Sequence, residues 1–213
     1  MSSEQDNKSK VKSMMRNSIT ISSYIIFPMM AGLAGVAAPL VSILLTDKWL
    51  PCVPYMQIYC FTLAFNPVHT CNLQAINAMG RSDIFLKLEI IKKAYGIIAL
   101  IIAVVFFDSP IAIAMTGVFT VLLSCFVNAF PNKKLINYSY FEQMKDILPS
   151  FLASIVMFGC ILLVGLLNSN RIMTIFLQVL VGICVYLIIS IVFSLSPYKT
   201  LIKLIKSKIK LVK

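Results

Sequence analysis

Polar side chains interrupt a long apolar stretch at residues 65–83, FNPVHTCNLQAINAMGRSD. At about 100° per residue, most of them fall on one side of a helix, together with a threonine one turn earlier. This polar stripe consists of Thr62, Asn66, His69, Thr70, Gln74 and Asn77. Asn72 lies off the stripe, and we expect it to bond a neighbouring helix or a backbone group.

Neutral amides and hydroxyls along a membrane helix can line a water-filled cavity and offer hydrogen bonds to sugars or phosphates. The alternative is hydrogen bonding between helices, which membrane bundles commonly use. Because so many amides cluster in one segment, we favour the cavity. The polar stripe is therefore the candidate substrate-facing surface.

Two further residues bear on this stripe. Arg81 follows it directly, and an arginine at this position can hold a phosphate through paired charge-assisted hydrogen bonds. The simpler alternative is a basic residue at the end of a span. Pro67 lacks a backbone N–H and clashes with the carbonyl four residues earlier, so it predicts a helix kink.

Groups suited to catalysis or metal binding are not brought together by the sequence pattern. The eight acidic residues lie in predicted loops or at the ends of spans, so no carboxylate pair is placed inside the membrane for acid–base work. His69 has no Ser, Cys or carboxylate at a spacing that links it to a nucleophile. The six cysteines are spread among apolar segments without a C-x-x-C pair, as small buried residues are. We predict neither enzymatic activity nor a metal or cofactor.

The composition indicates an integral membrane protein. Hydrophobic residues make up 59% of the chain and charged residues 13%, against roughly 45–50% and 25% in soluble domains. Apolar stretches predict an all-α bundle of six transmembrane helices, at about 19–46, 53–78, 86–107, 110–130, 149–167 and 172–196. A basic N-terminal arm, 1–18, precedes the bundle, and a basic amphipathic tail, 197–213, follows it and is expected to lie on the inner leaflet.

The basic residues alternate from loop to loop. Seventeen of the 19 Lys and Arg residues fall in the arm, in residues 79–93, in residues 131–148 or in the tail, and only Lys48 and Arg171 fall on the other side. Basic residues concentrate on the cytoplasmic side of membrane proteins, so both termini are predicted to be cytoplasmic. The net charge of +11 is thereby explained by topology, and no nucleic-acid partner is predicted.

Several strings resemble bacterial polysaccharide and O-antigen repeat-unit flippases of the Wzx type. They are YIIFPMMAGLAGVAAPLVSILLTDKWLP, PYMQIYCFTLAF, the NAMGRSD turn with LEIIKK after it, and YSYFEQMKDILPS. The resemblance implies the multidrug/oligosaccharidyl-lipid/polysaccharide exporter fold, in which two lobes of helices surround a central cavity. Such proteins move undecaprenyl-diphosphate-linked oligosaccharides across the bacterial inner membrane.

The six predicted spans resemble only the C-terminal portion of this family. They correspond to the last four helices of the second lobe and two appended helices. Because alternating access requires two lobes around a shared site, we expect this chain to be a fragment or one half of an assembly, unable to transport alone. The expected partners are the lipid-linked oligosaccharide, membrane lipids, and a missing N-terminal lobe or glycan-assembly proteins.

Two other functions fit the same residues. One is part of a multidrug or small-solute exporter of the same fold. The other is a membrane scaffold for a glycan-assembly complex that does not transport. The first would ordinarily carry an intramembrane carboxylate or ion site, and the second would co-purify with glycosyltransferases without flipping lipid.

Overall fold

A computed structural model describes residues 2–167 and 170–202, with side chains from residue 8 onward. These residues form helices joined by short turns, and they contain no strand. The helices are α1 (Ser2–Gly35), α2 (Ala37–Leu45), a 3-10 helix (Asp47–Cys52), α3 (Val53–Ala64), α4 (Asn66–Ala78), α5 (Ser82–Phe106), α6 (Pro110–Ile136), α7 (Tyr140–Gly165) and α8 (Arg171–Val192). Most of the predicted tail, residues 203–213, lies outside the described residues.

The first helix begins much earlier than its predicted span. The 34 residues of α1 reach about 50 Å at 1.5 Å per residue, against about 30 Å for a bilayer core. Met15 and Ile19 are already buried in the core that α1 shares with α7. Residues predicted as a separate arm are instead the first turns of α1, and they contain no Gly or Pro that would interrupt a helix.

The predicted span 53–78 is divided into two helices. The division falls at Phe65, two residues before Pro67, where the chain leaves regular helical geometry. Pro67 lies in the first turn of α4, where its missing N–H costs no hydrogen bond. The ring of Phe65 packs against Phe27 at 5.6 Å and Phe151 at 5.8 Å, which holds the break against α1 and α7.

The loop expected at residues 131–148 is almost entirely helical. α6 continues to Ile136, and α7 begins at Tyr140. A capping box starts α7, because the Ser139 hydroxyl accepts from the Glu142 N–H while Glu142 accepts from the Ser139 N–H. The left-handed residue Asn137 ends α6.

The helices pack in the order α8, α7, α1, α3 with α4, α6 and α5. α1 is central, since it contacts α7 on one side and both halves of the broken helix on the other. The absence of a side chain at Gly35 and Gly182 leaves room for Ile161 of α7. A Cβ added at either glycine would lie within 3 Å of the Ile161 side chain. This close approach places the small residues of GLAGVAAP at a helix interface.

Four described helices are long and apolar enough to cross a membrane: Lys8–Gly35, Pro110–Ile136, Tyr140–Gly165 and Arg171–Val192. α3 and α4 have only 12 and 13 residues, so each alone is too short for a span. α5 has 25 residues, but Glu89, Lys92 and Lys93 occupy its first half. The outer surface of the bundle exposes many large apolar side chains, as a lipid-facing surface does.

Candidate substrate-facing site

One face of α4 is polar and exposed. Asn66, Thr70, Gln74 and Asn77 are all exposed, and their spacing of four, four and three residues places them along one side of the helix. The Thr70 hydroxyl lies 3.4 Å from the amide oxygen of Asn66, within hydrogen-bond reach. The amides of Gln74 and Asn77 have no hydrogen-bond partner among the described residues. This row, the exposed face of α4, offers several free donors and acceptors.

The other two stripe residues are partly enclosed. Thr62 belongs to α3, where its hydroxyl donates to the carbonyl of Ile58 at 3.0 Å and faces Gly117 of α6. His69 is half-buried, and its Nδ1 lies 2.8 Å from the Asn128 side-chain nitrogen of α6. The imidazole and the amide therefore hydrogen-bond across the contact between α4 and α6. These two residues connect the broken helix to α6.

Asn72 lies on the opposite side of α4 and is fully buried. Its amide and that of Gln143 on α7 bond reciprocally: Asn72 Nδ2 donates to Gln143 Oε1 at 2.7 Å, and Gln143 Nε2 donates to Asn72 Oδ1 at 3.0 Å. Asn132 of α6 donates to the same Oδ1 at 2.8 Å. The prediction that Asn72 bonds a neighbouring helix is confirmed, and the three amides form a buried cluster that joins α4, α6 and α7.

Two members of this buried amide cluster, Asn132 and Gln143, are not candidates in the sequence reading. Both lie in residues 131–148, which read as a charged loop. The available signal is the spacing of Asn128 and Asn132, which places both amides on one face only if α6 continues past residue 130. This continuation is obscured in the sequence by the charges of Lys133 and Lys134 and by the helix-breaking residue type at Pro131.

Arg81 ends the turn after α4. Gly80, with φ of 70°, adopts the left-handed conformation that lets the chain leave the helix. The guanidinium donates to both oxygens of Asp83, from Nε at 2.9 Å and from Nη2 at 3.0 Å. This pairing lowers the pKa of Asp83 to about 2, and the same hydrogen bonds raise the pKa of Arg81. Arg81 remains half-exposed, so part of its donor fork is free.

No three His, Cys, Asp or Glu side chains within residues 8–167 and 170–202 are grouped to hold a metal ion. The exposed face of α4 presents neutral polar groups on a bundle whose exterior is largely apolar. This arrangement defines an all-helical membrane protein with a polar surface suited to binding a polar ligand.

Comparison with known proteins agrees with this class. Residues 1–54 match the family model described as polysaccharide biosynthesis protein. The fold matches the lipid II flippase MurJ in an inward closed conformation, with a TM-score of 0.73 and 21% sequence identity over 93% of this chain. The chain spans 41% of the length of that flippase. No curated protein sequence matches the chain.

These matches confirm the resemblance to the polysaccharide exporters that the sequence indicated. The family model covers about a quarter of the chain and ends within the 3-10 helix. The structural match covers nearly all of it and shows that the described residues share the fold of that lipid II flippase.

Proposed function

We propose that this chain forms the C-terminal part of a flippase that moves undecaprenyl-diphosphate-linked oligosaccharides across the bacterial inner membrane. The observation that carries the proposal is the exposed face of α4, where Asn66, Thr70, Gln74 and Asn77 form a polar row on an otherwise apolar bundle. Exposed amides at membrane depth are costly in lipid. They are suited to a water-filled cavity that binds sugar hydroxyls.

The topology we propose has six spans with both termini in the cytoplasm. α3 and α4 together form one broken span of 53–78, which is long enough only when the two halves are joined. α5 forms another span, whose basic first half lies at the interface. This assignment places Lys12, Arg81 and Lys145 at the same end of the bundle, as expected for a cytoplasmic side.

A second lobe completes the cavity in this proposal. The chain corresponds to 41% of a related fold, and alternating access requires a second body that rocks against this one. The exposed face of α4 is the surface that faces this lobe across the cavity. Arg81 then lies at the inner mouth, where its unpaired donors are available to a lipid diphosphate.

The test uses the complete flippase, with this chain and its partner lobe, in cells that export a measurable glycan. Replacing both Asn66 and Asn77 by Leu removes two hydrogen-bonding groups from the cavity. At about 1 kcal/mol per bond, we expect glycan export to fall by roughly tenfold or more while the protein level in the membrane is unchanged. Surface glycan is measured against the amount of flippase on an immunoblot.

The matched control keeps the amides. Asn66→Gln with Asn77→Gln retains donor and acceptor groups on the same face, and export is expected to stay near the wild-type level. Undiminished export in the Leu variant contradicts the proposed role of the α4 face. Loss of small-solute export with glycan export intact would instead assign the chain to a small-solute exporter.

A further inference from the structure

A polar cavity lies at the basic end of the bundle, away from the exposed face of α4. Its volume is about 540 Å³, within the range of small-ligand pockets. It lies between the middle of α1, the first turns of α7 and the chain that follows α8. Its lining residues include Arg16, Asn17, Lys145, Asp146 and Ser196.

The cations of this cavity are not fully engaged by the protein. Lys145 is exposed and forms no hydrogen bond or ion pair with another described residue. Arg16 uses one nitrogen to donate to Asp146 at 2.5 Å, and its side chain is 54% exposed. A guanidinium has five N–H donors, so Arg16 retains several for a ligand.

Asp146 is the one acidic side chain among the described residues that line the cavity, and its charge is balanced by Arg16. Asp146 accepts from Arg16 through Oδ1 and from the Tyr138 hydroxyl through Oδ2 at 2.7 Å. Burial, reinforced by this hydrogen bond, raises the pKa of Tyr138, so the hydroxyl remains a donor. Both carboxylate oxygens are occupied, so the unpaired charge among the described lining residues is the positive charge of Lys145.

Apolar groups border the cavity on the side of α8. Phe193 lines it and is 72% exposed, and the neighbouring Val192 is 70% exposed. Leu148, next to the lining residue Pro149, is also exposed. A ligand with a charged head and an apolar body is complementary to this border.

We propose that the cavity binds the phosphate of an anionic membrane lipid, with Lys145 and Arg16 contacting the phosphate and the acyl or isoprenyl chain lying along Phe193. Anionic lipids are concentrated in the inner leaflet, where the basic end of the bundle is proposed to lie. An arginine can bind a phosphate through two parallel hydrogen bonds, and a lysine can bind it as a compact positive charge. This inference rests on the topology proposed above, and it does not depend on ligand binding by the α4 face.

The experiment measures lipid binding to the purified chain by native mass spectrometry in a mild detergent. Lys145→Gln removes the free cation without breaking a contact between described residues. The matched control is Lys134→Gln, which removes an exposed lysine in the last turn of α6, outside the cavity. Phosphatidylglycerol, undecaprenyl phosphate and zwitterionic phosphatidylcholine are titrated separately, and size-exclusion profiles check that each variant is folded.

We expect Lys145→Gln to weaken binding of an anionic lipid about tenfold, as loss of a charge-assisted hydrogen bond implies, while Lys134→Gln leaves binding unchanged. Lys145→Arg is expected to keep the affinity. If Lys145→Gln selectively loses phosphatidylglycerol binding, the ligand is a phospholipid. If it selectively loses undecaprenyl phosphate binding, the ligand is an isoprenyl carrier. Equal losses in both Gln variants, or no loss in either, would overturn the site, as would an equal loss of phosphatidylcholine.

Discussion

The two sides of α4 carry the same kind of residue in opposite surroundings. Asn66, Gln74 and Asn77 are exposed, whereas Asn72 is fully buried and bonded to α6 and α7. An exposed amide is available to a ligand. A buried amide instead bonds to other helices and holds them together, because a buried polar group without a partner is costly. Residue type alone therefore does not distinguish binding from packing on this helix.

The break before α4 is packed into the core of the bundle. Phe65 is held between aromatic rings of α1 and α7, and Pro67 starts a new helix. In the proposed flippase, a broken helix with one polar face would provide both a site for a polar group and a point where the helix can bend.

The largest expected effect is on the buried side. Asn72→Leu leaves the amides of Gln143 and Asn132 without their shared partner, and we expect a loss of about 2 kcal/mol in stability. The measurement is the apparent Tm of the purified protein by fluorescence-detected size exclusion. Gln74→Leu, an exposed change on the same helix, is expected to leave Tm nearly unchanged. If Asn72→Leu and Gln74→Leu shift Tm equally, the buried and the exposed face of α4 do not differ in their contribution to stability.

The reciprocal bond between Asn72 and Gln143 predicts a second result. Replacing both amides by Leu removes both members of the reciprocal pair, so less is left unsatisfied than in Asn72→Leu alone, where Gln143 loses its partner. We expect the double variant to lose less stability than the two single variants added together, by about 1 kcal/mol. A double-mutant cycle on Tm or on detergent-induced unfolding measures the difference. Strict additivity would mean that the two amides act independently.

The sequence predicts the two faces of α4 better than it predicts their partners. Helical spacing alone separates Asn72 from the exposed row, since the spacing depends only on α4 itself. Gln143 and Asn132 escape prediction because the helix ends that carry them are rich in charge, like a loop. Charged residues at the ends of membrane helices reach the interface with their long side chains, so charge marks where helices leave the membrane and not where they end.

The same reason explains the first helix. The basic residues of 1–18 suggest a solvated arm, yet Lys12 donates to the Asn137 carbonyl and pairs with Glu142 at 3.3 Å. These contacts join the start of α1 to the start of α7. They involve residues more than a hundred positions apart, and no local pattern indicates them.

His69 lies between the exposed and the buried face of α4, and we expect its replacement to have an intermediate effect on stability. His69→Phe keeps an aromatic ring but removes the hydrogen-bond partner of Asn128. We expect a stability loss of about 1 kcal/mol, smaller than for Asn72→Leu, read from Tm in the same assay. Asn128→Leu should have a similar effect, because it removes the other partner. A glycan-export defect in His69→Phe at normal protein level would assign His69 to the exposed face instead.

The smallest effect is expected beyond the end of α4, at Asp83. Its folded-state pKa of about 2 lies below the roughly 3.9 of an unfolded aspartate. The pairing with Arg81 therefore stabilises the folded state above about pH 4, and this contribution is lost as the pH falls through about 2. Both side chains are about half exposed, so water and salt screen the pair. We expect Asp83→Asn to change Tm very little at pH 7, and the small difference from the wild type to shrink further at pH 3 and in high salt.

Because Asp83→Asn frees Arg81 without removing it, glycan export by the complete flippase should be retained in this variant and reduced in Arg81→Gln if Arg81 contacts a lipid diphosphate. Equal export in the two variants would leave Arg81 as a basic residue at the end of a span, and the binding surface would then be confined to the exposed face of α4.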